Sequence, residues 1–208
     1  MNKLCRFATV AAVVIAASAF ATQASANPFA WLGLGYTPTD NGNQVRADLQ
    51  RRIVEYPTNE APGTIIVDTG NTYLYYVLPG GKAIRYGIGV GREGFTWSGV
   101  KTVERKAEWP DWTPPPEMIA RSPYLPRFMA GGVTNPLGAR AMYLSGSFYR
   151  IHGTNAPGSI GSRATAGCIR MANDDVIDLY DRVKVGTKVV VMPAAERRAA
   201  AAWFNPFQ

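Results

Sequence analysis

The fold class is decided by residues 64–90, which read Thr64-Ile65-Ile66-Val67-Asp68, then Thr72-Tyr73-Leu74-Tyr75-Tyr76-Val77-Leu78, then Ala83-Ile84-Arg85-Tyr86-Gly87-Ile88-Gly89-Val90. The three runs are rich in β-branched and aromatic side chains, which favour strands. Gly70-Asn71 and Pro79-Gly80-Gly81 separate them and are typical of turns between antiparallel strands. This stretch therefore predicts three consecutive antiparallel strands in a mainly β domain.

Outward from this stretch, the sequence predicts more strands and one or two short helices. Strands are expected near residues 100–109, 139–144, 148–152 and 187–192. A helix is predicted over 173–183, with Asn173 as the N-cap residue and Asp174 and Asp175 favouring the positive end of the helix dipole. These elements together predict a β-sandwich or a partly closed barrel.

Two connecting regions stand out by composition. Residues 110–136 are loaded with Pro and Gly, and a structureless segment of this length in a compact domain is usually a functional loop. Residues 44–56 place Val45, Leu49 and Ile53 on a loose apolar face. We therefore expect a long Pro/Gly-rich loop in the first region and a short helix in the second.

The composition along the chain predicts four regions. Lys3 and Arg6, a short apolar stretch, and Ala24-Ser25-Ala26 are the marks of a secretory signal peptide that is cut after Ala26. The regions are a signal peptide (1–26), an N-terminal extension (27–62), the main domain (63–193) and a C-terminal tail (194–208).

The expected destination is outside the cytoplasm. A membrane anchor is the alternative, but the apolar run is short for a bilayer and is broken by Ser18, Thr22 and Gln23. Removal of 26 residues would leave 182, and the formal charge would fall from +7 to +5 because Lys3 and Arg6 leave. A modest positive charge suits anionic envelope polymers. Runs of bases interleaved with aromatics are missing from the sequence, which argues against nucleic acid as a partner. We expect export to the periplasm or the cell wall, with no integral membrane segment after cleavage.

After signal cleavage the chain would keep one cysteine, Cys168, and its single histidine, His152. A lone thiol in an oxidising compartment has no disulfide partner in its own chain. A thiol attacks a carbonyl as the thiolate, so it needs a neighbouring base or cation. An imidazole that takes the thiol proton can later deprotonate the incoming nucleophile. The pair predicts acyl transfer with Cys168 as nucleophile and His152 as base.

Residues next to this pair supply further candidates. No acidic residue lies between His152 and Cys168, so a backbone carbonyl next to His152 is expected to orient the imidazole. Gly167 leaves room for a substrate carbonyl near the thiol, where backbone N–H groups would hold the developing oxyanion. Arg170 would bind a substrate carboxylate through a two-pronged contact.

Structural explanations of the same residues remain open. Cys168 would be an inert buried thiol, His152 a structural residue at a strand end, and Arg170 a partner of Asp174 or Asp175. One cysteine and one histidine do not supply the three or four ligands of a zinc site, so we expect no metal and no cofactor.

Three tryptophans flank or lie in the long loop. Trp97, Trp109 and Trp112 would line a substrate groove or anchor the loop by packing. Trp109 is the candidate for substrate contact.

The sequence His152-Gly153-Thr154, followed by Thr165-Ala166-Gly167-Cys168-Ile169-Arg170, resembles the signature of L,D-transpeptidases with the YkuD-type catalytic domain. The resemblance extends over about 63–192 and includes Gly89-Val90-Gly91, Glu108-Trp109-Pro110 and Asn135-Pro136-Leu137-Gly138. One position departs from the pattern, because Ala166 stands where many members carry a second histidine directly before the Gly-Cys pair.

This resemblance implies an L,D-transpeptidase-type β-sandwich over 63–193 and peptidoglycan stem peptides as partners. The cysteine would attack a stem tetrapeptide after its diamino acid, the terminal D-alanine would leave, and a side-chain amine of another stem would complete a 3→3 cross-link. Cys168 would be the nucleophile, His152 the base and then the acid, and the Gly153 carbonyl would orient the ring. The implied substrate-binding positions are Arg170, Gly167, Thr154 and Trp109, and carbapenems are expected to acylate the cysteine.

Several functions compete with cross-linking. The acceptor would be another stem, water (an L,D-carboxypeptidase), a free D-amino acid or the lysine of an envelope protein. Sortase-like transpeptidases also use His, Cys and Arg but spread them much further apart, and papain-like wall hydrolases usually place Cys before His. A non-catalytic peptidoglycan-binding module is the alternative of a different class. Covalent labelling of Cys168 by a carbapenem would separate a binder from an enzyme.

Overall fold

The computed structural model describes residues 44–192, which form a mainly β domain with two α-helices. The strands are β1 (Arg52–Glu55), β2 (Ile65–Asp68), β3 (Tyr73–Leu78), β4 (Lys82–Gly87), β5 (Val90–Gly91), β6 (Gly99–Glu108), β7 (Arg140–Leu144), β8 (Arg150–His152), β9 (Arg163–Thr165), β10 (Ile169–Arg170) and β11 (Lys188–Met192). The helices are α1 (Pro116–Arg121) and α2 (Asn173–Arg182), and short 3-10 turns cover Ala47–Leu49 and Pro157–Ser159. The predicted signal peptide and C-terminal tail lie outside the described residues.

Nine strands are hydrogen-bonded in the order β1-β4-β3-β2-β11-β6-β7-β8-β10, and β5 pairs separately with β9. Strand β6 joins the two halves of the large sheet. Its residues 99–102 pair with β11, and its later residues pair with β7 after a register shift between Val103 and Arg105. A bulge of this kind bends and twists a strand, so one half of the sheet can fold over the other. The predicted β-sandwich is confirmed.

The core is formed by the inward side chains of the strands and by one face of α2. Its fully buried members include Ile65, Val67, Leu74, Tyr86, Ile88, Met142, Leu144, Ile151, Val176 and Leu179. Complete burial of an aliphatic or aromatic side chain stabilises a fold by about 1.5–3 kcal/mol relative to exposure. The core therefore holds α2 against the sheet that contains β8. The candidate site is built at the end of β8 and at the start of α2.

The long apolar strands are confirmed. The runs predicted in 64–90 appear as β2, β3, β4 and β5, and those near 100–109, 139–144, 148–152 and 187–192 appear as β6, β7, β8 and β11. Strands β1, β9 and β10 were not predicted. They have two to four residues each, too few to show a periodic pattern.

The helix predicted over 44–56 is wrong. This segment contains only the 3-10 turn at Ala47–Leu49, and strand β1 follows it. Strand β1 pairs with β4, and Ile53 is 65% exposed, so the segment has no apolar helical face to bury. The β-branched residues Ile53 and Val54 also favour an extended backbone. Leu49 is the buried anchor, packed against Ile160 and Ala172.

The loop over 110–136 is not structureless, so that prediction is wrong in part. Helix α1 begins at Pro116, a residue whose missing N–H costs nothing in a first helical turn. Trp112 and Met129 form an isolated β-bridge, and Trp112 packs with Leu125 and Leu137 in a small separate core. Within residues 44–192, neither helix has both the length and the apolarity needed to cross a lipid bilayer.

Candidate active site

His152 is the last residue of β8 and lies between two neighbouring strands. It is opposite Ala141 of β7 on one side and Arg170 of β10 on the other. The ring is 5% exposed, and its Nδ1 lies 2.6 Å from the carbonyl oxygen of Gly153. A carbonyl can only accept a hydrogen bond, so Nδ1 carries the hydrogen and Nε2 is the basic nitrogen.

The surroundings of His152 keep the imidazole neutral. Burial lowers its pKa most, the positive charges of Arg170 and Arg150 lower it as well, and the net pKa is about 3. The carbonyls of Gly153 and Leu137 act in the opposite direction, because they accept hydrogen bonds from the charged ring. At neutral pH the ring is therefore a proton acceptor of fixed tautomer.

The backbone around Gly153 is held by the side chain of Asn173. The Asn173 Oδ1 accepts hydrogen bonds from the backbone N–H groups of Ala139 (2.9 Å) and Thr154 (3.2 Å). A Cβ atom on Gly153 or on Gly138 would lie 2.3 Å from this oxygen, a distance that real contacts do not show. Glycine at both positions lets the two segments meet on one amide oxygen, which fixes the carbonyl that orients His152.

Helix α2 begins differently from the prediction. Ala172, not Asn173, is the N-cap residue, and no side chain caps the helix there. The amide oxygen of Asn173 is used by Ala139 and Thr154 instead. Asp175 in the first turn lies 3.7 Å from Arg51, and burial raises the pKa of its carboxyl to about 6.

Cys168 is a partly exposed free thiol one residue before β10. Strand β10 runs parallel to β8, with Arg170 in register with His152. Side chains alternate along a strand, so continuing the alternation to Cys168 puts the thiol on the same face as the imidazole. The structure thus brings Cys168, His152 and Arg170 to one face at the edge of the sheet.

Arg170 is a buried cation beside these two groups. Its side chain is 6% exposed, Nη1 donates to the Ser159 hydroxyl at 3.1 Å, and Nε has no hydrogen-bond partner. Burial lowers its pKa to about 10, and Cys168 acts in the opposite direction. Within residues 44–192 no ion pair joins Arg170 to Asp174 or Asp175, so its positive charge is left to act on the thiol.

Thr154 and Trp109, two predicted substrate-binding residues, lie in different surroundings. Thr154 is buried, its hydroxyl accepts from the Ala156 N–H at 3.0 Å, and it lines a cleft of about 490 Å³ beside the start of α2. Trp109 follows β6, is 41% exposed, and donates its backbone N–H to the Ala139 carbonyl. Thr154 therefore lines the cleft. Trp109 lies just after the end of β6, where its backbone is bonded to the residue that precedes β7.

Two residues that hold the site were not predicted as site residues. Asn173 was assigned to helix capping, and Trp97 to loop packing or a substrate groove, because neither residue type signals a contact with a distant backbone group. In the structure, Trp97 donates from Nε1 to the carbonyl of Gly167 at 2.8 Å. Among the described residues, His, Cys, Asp and Glu side chains form no group of three that could hold a metal ion.

The fold thus brings His152, Cys168 and Arg170 together on one face of a β-sandwich. A family model described as the YkuD L,D-transpeptidase catalytic domain matches residues 62–191. The chain belongs to this L,D-transpeptidase family.

Known proteins agree with this assignment. A probable L,D-transpeptidase ErfK/SrfK of Escherichia coli K12 is 43% identical over 137 residues, which is 62% of this chain and 43% of that protein. The probable L,D-transpeptidase YbiS of the same organism is 38% identical over 134 residues, with 60% and 43% covered. The chain spans about half the length of the curated relatives it matches. The catalytic domain of an L,D-transpeptidase from E. faecium, solved by NMR, is similar in fold at 22% identity and a TM-score of 0.51, covering 65% of this chain and 100% of that domain.

Proposed function

We propose that this protein is a peptidoglycan L,D-transpeptidase that forms 3→3 cross-links between stem peptides through an acyl-enzyme on Cys168. One observation carries the proposal: a neutral imidazole of fixed tautomer, a partly exposed thiol and a buried cation without an acidic partner share one sheet face. Family membership over residues 62–191 supports the substrate class.

In the first half-reaction, the thiol proton moves to Nε2 of His152 and the sulfur forms a bond to the carbonyl carbon after the diamino acid of the donor stem. The carbonyl oxygen takes the negative charge of the tetrahedral intermediate. As the intermediate collapses, the C–N bond breaks and His152 returns the proton to the amine of the departing D-alanine. The Gly153 carbonyl holds the ring in place throughout, because its bond to Nδ1–H at 2.6 Å is kept in both protonation states.

In the second half-reaction, His152 takes a proton from the acceptor amine, which attacks the thioester. The C–S bond breaks, a new amide forms, and the thiolate regains the proton. His152 gives its proton to D-alanine in the first half-reaction, so the imidazole is neutral again and can accept the proton of the acceptor amine. Water or a free D-amino acid in place of the amine would give carboxypeptidase or exchange activity, and the lysine of an envelope protein would give attachment of that protein to the wall.

Arg170 contributes through its charge in this proposal. Its guanidinium is 6% exposed and donates to Ser159, so in this conformation it offers little surface to a substrate carboxylate. A buried cation beside Cys168 stabilises the negative charge that develops in the tetrahedral intermediate. Direct binding of a substrate carboxylate, as predicted from the sequence, would require the side chain to leave Ser159.

The remaining predicted residues complete the proposal. Trp109, 41% exposed, presents an aromatic surface to the stem peptide, and Thr154 contacts a substrate that enters the adjoining cleft. Gly167 would contact the substrate through its backbone next to the thiol, since the space that a Cβ would need there is occupied by the Tyr149 ring. The site lies in the periplasm or the cell wall, where both stems are found, and export by the predicted signal peptide supports this location.

The test is purified protein, without residues 1–26, incubated with disaccharide-tetrapeptides under reducing conditions. We expect 3→3 dimers and released D-alanine by mass spectrometry, and a carbapenem adduct on Cys168. Cys168→Ala should abolish all three while leaving the thermal unfolding midpoint nearly unchanged, because the side chain is outside the apolar core. Peptide binding without product or adduct would identify a non-catalytic wall-binding module instead, and D-alanine release without dimers would identify a carboxypeptidase.

A further inference from the structure

We infer that Trp97 is a positioning residue that, together with Tyr149, holds the Gly167–Cys168 peptide so that the backbone N–H of Cys168 donates to the developing oxyanion. The inference rests on the proposed acyl transfer and adds to it two residues outside the His-Cys motif. Neither touches the reacting atoms in this assignment. Both act through the peptide bond that they hold.

The key contact is the hydrogen bond from Trp97 Nε1 to the carbonyl oxygen of Gly167, 2.8 Å long. In a trans peptide, the C=O and the following N–H point in opposite directions. Fixing the Gly167 carbonyl toward Trp97 therefore directs the Cys168 N–H away from Trp97. That N–H belongs to the nucleophile itself, so it lies beside the carbonyl that the sulfur attacks.

Aromatic packing makes this contact rigid. The rings of Trp97 and Tyr149 are stacked, with centroids 4.7 Å apart and an interplanar angle of 3°. Both rings pack against the main core. Gly167 has φ of +103°, and a Cβ there would lie 2.5 Å from the Tyr149 ring. The ring edge thus occupies the space that a side chain at position 167 would need, and the loop has little freedom to turn.

The neighbouring backbone groups, the N–H of Gly167 and the carbonyl of Cys168, already form hydrogen bonds. The Gly167 N–H donates to Thr165 Oγ1 at 3.3 Å, and the Thr165 hydroxyl donates to the Cys168 carbonyl at 2.6 Å. Among residues 44–192, the backbone N–H of Cys168 has no hydrogen-bond partner. An N–H held in a fixed direction and left free next to a nucleophile is the group that stabilises an oxyanion.

The experiment compares two reactions of the same sulfur. Acylation by 4-nitrophenyl acetate passes through an oxyanion, whereas alkylation by iodoacetamide displaces iodide and forms none. Trp97→Phe keeps a ring for stacking on Tyr149 and removes the N–H donor. We expect its acylation rate constant to fall by about 10- to 100-fold, below the 100- to 1000-fold loss from deleting an oxyanion donor outright. Its alkylation rate should stay within about twofold of the wild type.

Trp112→Phe is the matched control, because it makes the same side-chain change in the separate small core with Leu125 and Leu137, and among the described residues Trp112 makes no hydrogen bond to Gly167. It should leave the ratio of acylation to alkylation unchanged, and cross-linking by Trp97→Phe should show a lower kcat at nearly constant KM. An unchanged ratio in Trp97→Phe, or an equal loss of both reactions, would overturn the inference.

A measurement on the wild type covers the case in which Trp97→Phe does not fold. The Trp97 indole N–H should exchange with solvent slowly by NMR, and rapid exchange would also overturn the inference. The two ideas can fail separately. If the Trp97 N–H is protected and Trp97→Phe lowers the ratio of acylation to alkylation, but the wild type makes no peptidoglycan dimers, the proposed function is refuted and the role of Trp97 stands.

Discussion

The two groups proposed to react, His152 and Cys168, are held in different ways. His152 is 5% exposed, ends a core strand, and is oriented by a backbone carbonyl whose own position depends on Asn173. Cys168 is partly exposed and lies outside the strands, in a segment held by the distant side chain of Trp97 and by the nearby hydroxyl of Thr165. The proposed base is thus fixed by burial, whereas the proposed nucleophile is accessible and is fixed through its backbone.

This difference matches the two tasks. A base that must be neutral before each proton transfer and keep one tautomer benefits from a buried position, because burial disfavours the charged ring between transfers. A nucleophile that must receive a peptide from outside cannot be buried in the same way. The fold therefore places the imidazole at the end of a strand in the core and the thiol on the loop next to it.

The largest effect is expected from changing the base. His152→Asn keeps an N–H that can reach the Gly153 carbonyl but removes the nitrogen that accepts the thiol proton. We expect acyl transfer to fall by about 100- to 10,000-fold, the usual contribution of general acid–base catalysis. Single-turnover acylation at pH 7 measures this loss. A variant that keeps near wild-type rates would show that the thiol is activated without the imidazole.

A smaller effect is expected from the residue that supports the base. Asn173→Ala leaves the N–H groups of Ala139 and Thr154 without their acceptor, and we expect the free energy of unfolding to fall by about 2 kcal/mol. Acylation should fall as well, because the Gly153 carbonyl loses its support. Asn173→Asp keeps an acceptor oxygen in place and is the control. Equal stability of the alanine and aspartate variants in urea would contradict this role.

The same contrast explains what could be predicted from the sequence. Strands β2 and β3 follow from their apolar, β-branched runs, and His152 and Cys168 follow from their chemistry and motif. The support of each group is harder to predict. The contact of Trp97 with Gly167 spans 70 residues and that of Asn173 with Ala139 spans 34, and each ends on a backbone atom that any residue type would supply.

The errors have a similar cause. Residues 44–56 show helical spacing, yet Arg52–Glu55 within them form an edge strand, because their backbone groups pair with those of β4. Asn173 is a preferred N-cap type, yet its oxygen is used across the fold. Local propensity is a weak signal wherever a tertiary hydrogen bond competes with it.

On the nucleophile side, the charge of Arg170 can be tested through the reactivity of the thiol. Arg170→Met keeps most of the apolar length and removes the positive charge that interacts with Cys168, so alkylation of the sulfur by iodoacetamide at pH 7 should slow by about tenfold. Arg127→Met, at an exposed position in the long loop, is the control and should react as the wild type does. Equal rates in all three proteins would show that Arg170 does not act on the sulfur.

On the base side, the burial of His152 should appear in the pH dependence of stability. The folded pKa is about 3, well below the ordinary value of 6.5, so between these values the unfolded chain binds a proton that the folded chain does not. The free energy of unfolding should therefore fall as the pH drops below 6.5, by about 1 kcal/mol per pH unit. Asp175 acts in the opposite direction, since its pKa of about 6 lies above the ordinary 3.8 and its protonated form favours the folded state between these values.

The two contributions separate when variants are compared. Asp175 is common to the wild type and His152→Asn, so the difference between their unfolding free energies reports the histidine alone. This difference should shrink in urea titrations from pH 7 to pH 5. Asp175→Asn removes the opposing contribution and should lose stability on acidification more steeply than the wild type. If the unfolding free energies of the wild type and His152→Asn changed in parallel with pH, folding would not lower the pKa of His152. The contrast between a buried base and an accessible nucleophile would then not hold.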